Sequence, residues 1–124
     1  MLVYTYGVFD LLHAGHIRSI KKAKSLGDKL IVGVFTDKVA ESFKRKPIIP
    51  EEQRKEMLES LKDVDMVIYQ CELSPETNIK YIEADIVAKG PGAGFEDMDL
   101  PNKVLLDYND INSTTKIIEK IRCL

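Results

Sequence analysis

Gly7-Val8-Phe9-Asp10-Leu11-Leu12-His13-Ala14-Gly15-His16 joins a strand pattern to a helix pattern. On its N-terminal side, Leu2-Val3-Tyr4-Thr5-Tyr6 is rich in aromatic and β-branched residues and stops at Gly7, as a short strand does. On its C-terminal side, from about Ala14 to Leu26, the apolar residues Ile17, Ile20 and Ala23 recur at helical spacing. Lys21, Lys22 and Lys24 fill other positions, and Gly27 supplies a stop. Gly7 and Gly15 let backbone approach a ligand closely, and the free N–H groups at a helix start attract phosphate. His13 and His16 are three apart, so within one helical turn they share a face and can point at one group. Two imidazoles over a helix N-terminus suit a polyphosphate; a packed or capping role is the plainer alternative for either ring. As a zinc site, His-x-x-His without a third ligand nearby is a poor pattern.

Beyond Gly27 the same alternation continues. Lys29 to Thr36 holds a continuous Leu-Ile-Val-Gly-Val-Phe run, which suits a central parallel strand covered on both faces. Residues 37–49 are mixed: a short helix, then a basic loop ending in Lys44-Arg45-Lys46-Pro47. Pro50 opens a second long helix, with Glu51 and Glu52 at the positive end of its dipole and Met57, Leu58 and Leu61 as its buried stripe. Asp65 to Tyr69 reads as the third strand. Ser74 as N-cap and Pro75 at the first position open a helix through about Ala84, and Asp85 to Lys89 is the fourth strand. After a glycine-rich segment, Val104 to Tyr108 makes the last strand, and Ser113 caps a closing helix whose Ile117, Ile118 and Ile121 face the core. Strands alternating with helices predict an α/β fold: a Rossmann-like, parallel five-stranded sheet with helices on both faces, wound with right-handed crossovers. Such sheets bind ligands at the carboxyl ends of their strands, near the point where strand order reverses.

Composition bounds what this fold can do. The 124 residues, 44% hydrophobic and 31% charged, fit a single domain over 1–124 with a sizeable core. A net charge of -2 argues against a protein that coats nucleic acid. The charge is uneven, with residues 1–62 at +4 and 63–124 at -6, so an anion site is expected in the first half unless the split is only the chance pattern of a solvated surface. The longest apolar stretch, Leu30 to Phe35, falls far below the roughly 20 residues of a membrane span. With no signal-peptide pattern at the N-terminus, the expectation is a soluble cytoplasmic chain whose Cys71 and Cys123 are reduced.

At the opening motif the chain resembles the cytidylyltransferase family of nucleotidyltransferases, and most of all the short bacterial glycerol-3-phosphate cytidylyltransferases. Gly7-x-Phe9-Asp10-x-x-His13-x-Gly15-His16 matches the family signature at each defining position. The likeness runs on through Leu26-Gly27-Asp28, Thr36-Asp37, Lys46-Pro47, Glu52-x-Arg54 and Val64-Asp65, and resumes at Ser113-Thr114-Thr115-Lys116-Ile117. The resemblance implies that His13 and His16 contact the nucleotide phosphates, with His16 stabilising the charge on departing pyrophosphate. It implies that Lys46, on a mobile loop, bridges the incoming phosphate and the triphosphate, while Lys44 and Arg45 read as solvated charges. Arg54, beside the apolar stripe of its helix, is odd there without an anionic partner and completes the catalytic set His13, His16, Lys46 and Arg54. Nucleotide contacts are expected from Gly7, Val8, Phe9, Asp10, Gly15, His16, Lys89, Gly90, Ser113, Thr114 and Thr115, and second-substrate contacts from Asp10, Lys46 and Gly92. Magnesium is implied as the triphosphate's partner, held by phosphate oxygens and water, so no metal-ligating residue is assigned. A homodimer is implied as well.

Two segments depart from the family. Where the glycerol-3-phosphate enzymes carry Gly-Asp-Asp-Trp, this chain has Lys89-Gly90-Pro91-Gly92-Ala93-Gly94-Phe95. That segment reads as a flexible loop beside the base and second substrate; with no helix after it, it is a weak dinucleotide fingerprint. Where the family has Arg-Thr-x-Gly-Ile before Ser-Thr-Thr, this chain has Tyr108-Asn109-Asp110-Ile111-Asn112 and lacks the arginine. The leading expectation is transfer of CMP from CTP to a small phosphorylated alcohol such as glycerol 3-phosphate. Adenylyl transfer from ATP is the alternative within the same chemistry, and a nucleotide-binding module without catalysis is the alternative outside it.

Overall fold

A computed structural model of the chain describes residues 1–106 and 114–123. Its five strands are β1 (Leu2–Gly7), β2 (Lys29–Phe35), β3 (Met66–Gln70), β4 (Ile86–Lys89) and β5 (Lys103–Leu105). Its helices are α1 (Ala14–Lys24), α2 (Asp37–Phe43), α3 (Glu51–Glu59), α4 (Glu76–Ile82) and α5 (Thr114–Arg122), with a 3-10 turn at Phe95–Asp97. All the strand pairs are parallel, and the sheet order is β3-β2-β1-β4-β5. The chain therefore leaves β1 toward β2 and β3, then returns to the other side of β1 for β4 and β5. The order reverses between β1 and β4, and a crevice opens beyond the carboxyl ends of those two strands.

Alternation along the strands builds a core on each face. Val3, Ile20, Ala23, Leu30, Val32, Leu58 and Ala88 pack together on the side of α1 and α3. Tyr4, Tyr6, Phe35, Ala40, Val87 and Phe95 pack on the other, under α4 and the 3-10 turn. Burying a Leu, Ile or Phe contributes about 1.5–3 kcal/mol each, so these two clusters hold the helices to the sheet. The second core also carries a buried polar chain. Tyr4 Oη donates to Gln70 Oε1 at 2.7 Å and accepts from Asn78 Nδ2 at 2.8 Å. Room for that hydroxyl comes from Gly33 on the neighbouring strand, where an added Cβ would lie 1.8 Å from Tyr4 Oη.

Several local expectations shift. In α3 the buried residues are Arg54 and Leu58, with Leu61 packed beyond the helix end, whereas Met57 is 49% exposed. Pro50 is the N-cap of α3 rather than its first residue. Ser74 Oγ does accept the Glu76 N–H, at 3.3 Å, but α4 begins only after Pro75 and ends at Ile82. In α5, Ile117 and Ile118 are half-buried while Ile121 is 59% exposed, which corrects its placement in the core. The last strand is described as Lys103–Leu105; the expected Tyr108 end lies outside the described residues. No described helix is long and apolar enough to cross a membrane.

Candidate active site at the sheet's switch point

The loop leaving β1 is held in a strained shape. Phe9 and Leu11 take positive φ, 54° and 49°, a left-handed conformation that costs a non-glycine residue roughly 1–2 kcal/mol. Three long-range ties hold it there. Phe9 packs into the α1-side core, Asp10 Oδ2 and Oδ1 accept the N–H groups of Ile48 (2.8 Å) and Ile49 (3.0 Å), and Arg54 Nη1 donates to Val8 O at 2.7 Å. Asp10 is 3% exposed, so both carboxylate oxygens join the β1 loop to the basic loop 44–49.

At the end of this loop the two histidines form a reciprocal cap. His13 is the N-cap of α1, and its Nδ1 accepts the Gly15 N–H at 3.1 Å; His16 Nδ1 accepts the His13 N–H at 3.2 Å. A ring nitrogen that accepts carries no proton, so each imidazole is neutral with its proton on Nε2; the Nε2 of His13 is buried, whereas His16 lines the cleft at the strand ends. The rings stack with centroids 3.9 Å apart, and Phe9 meets His16 edge-on at 5.5 Å. Burial, then the neighbouring His13 and Lys44, lowers the His16 pKa from 6.5 to about 3. For His16 the capping role and the expected phosphate-facing role are thus compatible, since the cap uses Nδ1 and not Nε2. The first turn of α1 has no acidic residue and its last turn carries Lys21, Lys22 and Lys24, so charge along the helix leaves its positive end facing the crevice.

A cleft of about 380 Å³ occupies this crevice. Gly7, Val8, Phe9 and Asp10 enter it from β1, His16, Ser19 and Ile20 from α1, and Lys89, Gly90, Pro91, Gly92 and Ala93 from the end of β4. Tyr6 and Phe35 form its floor, in edge contact at 5.5 Å, and Phe43 continues them against Phe35 at 5.2 Å. Lys44, Arg45 and Pro47 close the remaining side. Lys89 Nζ lies 5.4 Å from the Tyr6 ring centroid, and burial lowers its pKa from 10.5 to about 8, with Lys44 adding to the drop and Glu96 opposing it.

The expected site residues therefore divide. Gly7, Val8, Phe9, Asp10, His16, Lys89, Gly90 and Gly92 come together in the cleft wall, and His13 is stacked behind His16. Gly15 supplies the N–H that orients His13. Lys46 is exposed and outside the wall, and its neighbours Lys44 and Arg45, which read as solvated charges in the sequence, line the cleft instead. Arg54 is 1% exposed and directs its N–H groups to protein: Nε to Ile49 O, Nη1 to Val8 O and Phe35 O, and Nη2 to Asp37. The anionic partner that its position called for is Asp37, at 2.5 Å, and what it positions is the carboxyl ends of β1 and β2. Ser113 lies outside the described residues, and of Thr114 and Thr115 only their place in the first turn of α5 is described. Ser19, three residues beyond His16 on the same helix face, and Phe43 are cleft residues that the sequence reading passed over; the i, i+3 spacing pointed to the former.

The comparisons agree with this geometry. A family profile described as Cytidylyltransferase-like matches residues 4–120. The bifunctional protein HldE of a Nitratiruptor species is 40% identical over 127 residues, covering 98% of this chain but 28% of that protein, so the chain spans about a quarter of that relative's length. An FAD synthase of Methanothermus fervidus is 36% identical over 132 residues, covering 94% of this chain and 91% of that one. Among solved structures, a lipopolysaccharide core biosynthesis protein from Thermoplasma volcanium superposes with a TM-score of 0.70 at 29% identity, over 99% of this chain and 87% of that one. With the parallel sheet, the switch-point cleft and the paired histidines in place, the chain belongs to the cytidylyltransferase-like family of nucleotidyltransferases.

Proposed function

We propose that the chain transfers a nucleoside monophosphate from a nucleoside triphosphate to a phosphate oxygen of a small phosphorylated substrate, releasing pyrophosphate. The observation that carries this reading is the pair His13 and His16, whose Nδ1 atoms are both engaged in capping α1, which leaves the ring protons on Nε2, with His16 in the cleft wall. The acceptor oxygen attacks the α-phosphorus in line, its bond forms as the bond to pyrophosphate breaks, and charge builds on the departing bridge oxygen. Neutral imidazole N–H groups, the α1 dipole and the basic residues Lys44 and Arg45 lower the energy of that charge without a covalent intermediate. Lys46, on the same loop, reaches the cleft once the loop closes on bound nucleotide.

Magnesium enters with the triphosphate as part of the substrate. Its ligands are the phosphate oxygens and water, as the family resemblance implies. The proposed enzyme works as a homodimer, as the family resemblance implies, and sedimentation equilibrium tests that assembly.

For the nucleotide, the FAD synthase relative, which aligns over nearly its whole length, supports ATP, since the product in its name contains adenylate. CTP with glycerol 3-phosphate is the second reading, supported by the family description and the opening motif. A pyrophosphate-release assay with ATP and CTP against glycerol 3-phosphate, sugar phosphates and flavin mononucleotide separates them. Release with ATP and one acceptor supports the first reading, release with CTP the second, and no release with any pair contradicts nucleotidyl transfer.

A further inference from the structure

Lys89 is the last residue of β4, and its position on the pleat decides which side of the cleft it serves. Along β4, Ile86 and Ala88 pack into the α1-side core and Val87 into the opposite one, so alternation sends Lys89 to the face away from α1. Its Nζ over the Tyr6 ring agrees, because Tyr6 belongs to that second core. His16 is on the other side, in edge contact with Phe9 of the α1-side core. The end of β1 therefore runs between an imidazole pair on one face and a lysine on the other. In-line displacement needs this division, since the entering and leaving oxygens lie on opposite sides of the reacting phosphorus.

The lysine is also short of an anion. No carboxylate stands within ion-pair distance of Lys89 Nζ among the described residues, and its partners are the carbonyls of Gly90 at 3.3 Å and Gly92 at 3.4 Å. Charge-assisted N–H···O contacts normally close to about 2.7–2.9 Å, so these two leave the ammonium poorly satisfied. Glu96, whose charge favours the ammonium, makes no ion pair with it and takes the Gly92 N–H on Oε2 at 2.9 Å. Lys103 Nζ secures the loop from below by donating to Phe95 O, Glu96 O and Met98 O, so the carbonyl-and-glycine rim around Lys89 has a fixed base.

We propose that Lys89 holds the phosphate of the second substrate, on the face of the β1 end opposite the histidine pair. The inference rests on the nucleotidyl-transfer reading and moves Lys89 from the nucleotide's contacts to the acceptor's. Burial, which lowers its pKa to about 8, makes the ammonium an eager partner for an incoming dianion. Lys44 lines the same cleft as His16 and Lys89 and bears on both by its charge.

The test titrates inorganic phosphate, and separately the unreactive α,β-methylene analogue of ATP, into the wild-type chain and into Lys89→Met, Lys89→Arg and His16→Ala. Lys89→Met should weaken phosphate at least about tenfold while holding the analogue within about twofold, and Lys89→Arg should recover most of the loss. His16→Ala should show the reverse pattern. Retained phosphate affinity in Lys89→Met, or a loss of the nucleotide analogue in its place, overturns the proposal. Should Lys89→Met not fold, the ε-carbon resonance of Lys89 in wild-type protein decides: a saturable shift with phosphate supports the proposal, and no shift overturns it. A wild type that binds phosphate through Lys89 but releases pyrophosphate with no pair removes the functional reading and leaves this subsite standing.

Discussion

His13 and His16 close one hydrogen-bonded box over the start of α1, each Nδ1 accepting a backbone N–H, at 3.1 and 3.2 Å, with the rings stacked 3.9 Å apart. The arrangement requires neutral rings, and stability should show it. The folded His16 pKa is lowered from 6.5 to about 3, first by burial and then by His13 and Lys44. Above pH 6.5 neither the folded nor the unfolded ring is charged; below it the unfolded chain takes up a proton that the folded chain refuses. Stability is therefore lost as pH falls from 6.5 toward 3, with a slope of at most about 1.4 kcal/mol per unit, less for the solvent that reaches the ring. Urea melts at pH 7.5, 6.5 and 5.5 should show a shallower acid loss in His16→Asn than in wild type.

Asp10 governs the basic loop from the end of β1. In Asp10→Ala the N–H groups of Ile48 and Ile49 lose their acceptors, at about 1–3 kcal/mol for each that stays buried. The loop should loosen rather than leave them buried. Amide exchange at Ile48 and Ile49 should speed up by on the order of a hundredfold, and the nucleotide KM should rise, with Asp10→Asn intermediate.

Arg54 is a positioning residue, because its guanidinium touches the carbonyls of Val8, Phe35 and Ile49 and the Asp37 carboxylate. Arg54→Leu should cost about 1–3 kcal/mol for each carbonyl left buried without a donor, read by denaturant melts. Lysine cannot reproduce the fork, so Arg54→Lys should lose much of the same stability. Adding Asp37→Asn to Arg54→Leu should recover part of it, a coupling that a double-mutant cycle reads directly.

Lys89 should set a high-pH limit on the reaction. Its pKa is lowered from 10.5 to about 8 by burial and by Lys44, against the pull of Glu96, so the ammonium is present below that value and lost above it. The acceptor kcat/KM should fall as pH rises through about 8, and Lys89→Arg should carry the plateau further up, because a guanidinium keeps its charge. His16, neutral throughout, should add no limb near pH 6.5 to the free enzyme's profile.

Much of this could be read from residue patterns that act locally. The apolar run Leu30 to Phe35 showed a buried parallel strand, and the spacing of His13 and His16 put both rings on one turn. What the pattern hid depends on distant backbone. Hydropathy favoured Met57 for the buried stripe of α3, yet Arg54 is buried because three carbonyls and Asp37 await its N–H groups at the strand ends. Likewise nothing within Lys44-Arg45-Lys46 says which of them faces inward. The loop that carries them is tied by Ile48 and Ile49 to Asp10, 38 and 39 positions away along the chain. Ser113 and the segment that lacks the family arginine lie outside the described residues, so their expected roles stay with the proposal.

The central claim is that the Nε2 atoms of the capped histidines face the phosphates of a bound nucleoside triphosphate. Nitrogen-15 resonances of the imidazoles, followed while magnesium and α,β-methylene ATP or CTP are titrated in, test it most directly. The account predicts saturable shifts at Nε2 of both His13 and His16, with Nδ1 little changed because the cap persists. Saturation of the protein with nucleotide while both Nε2 resonances stay where they were would contradict it.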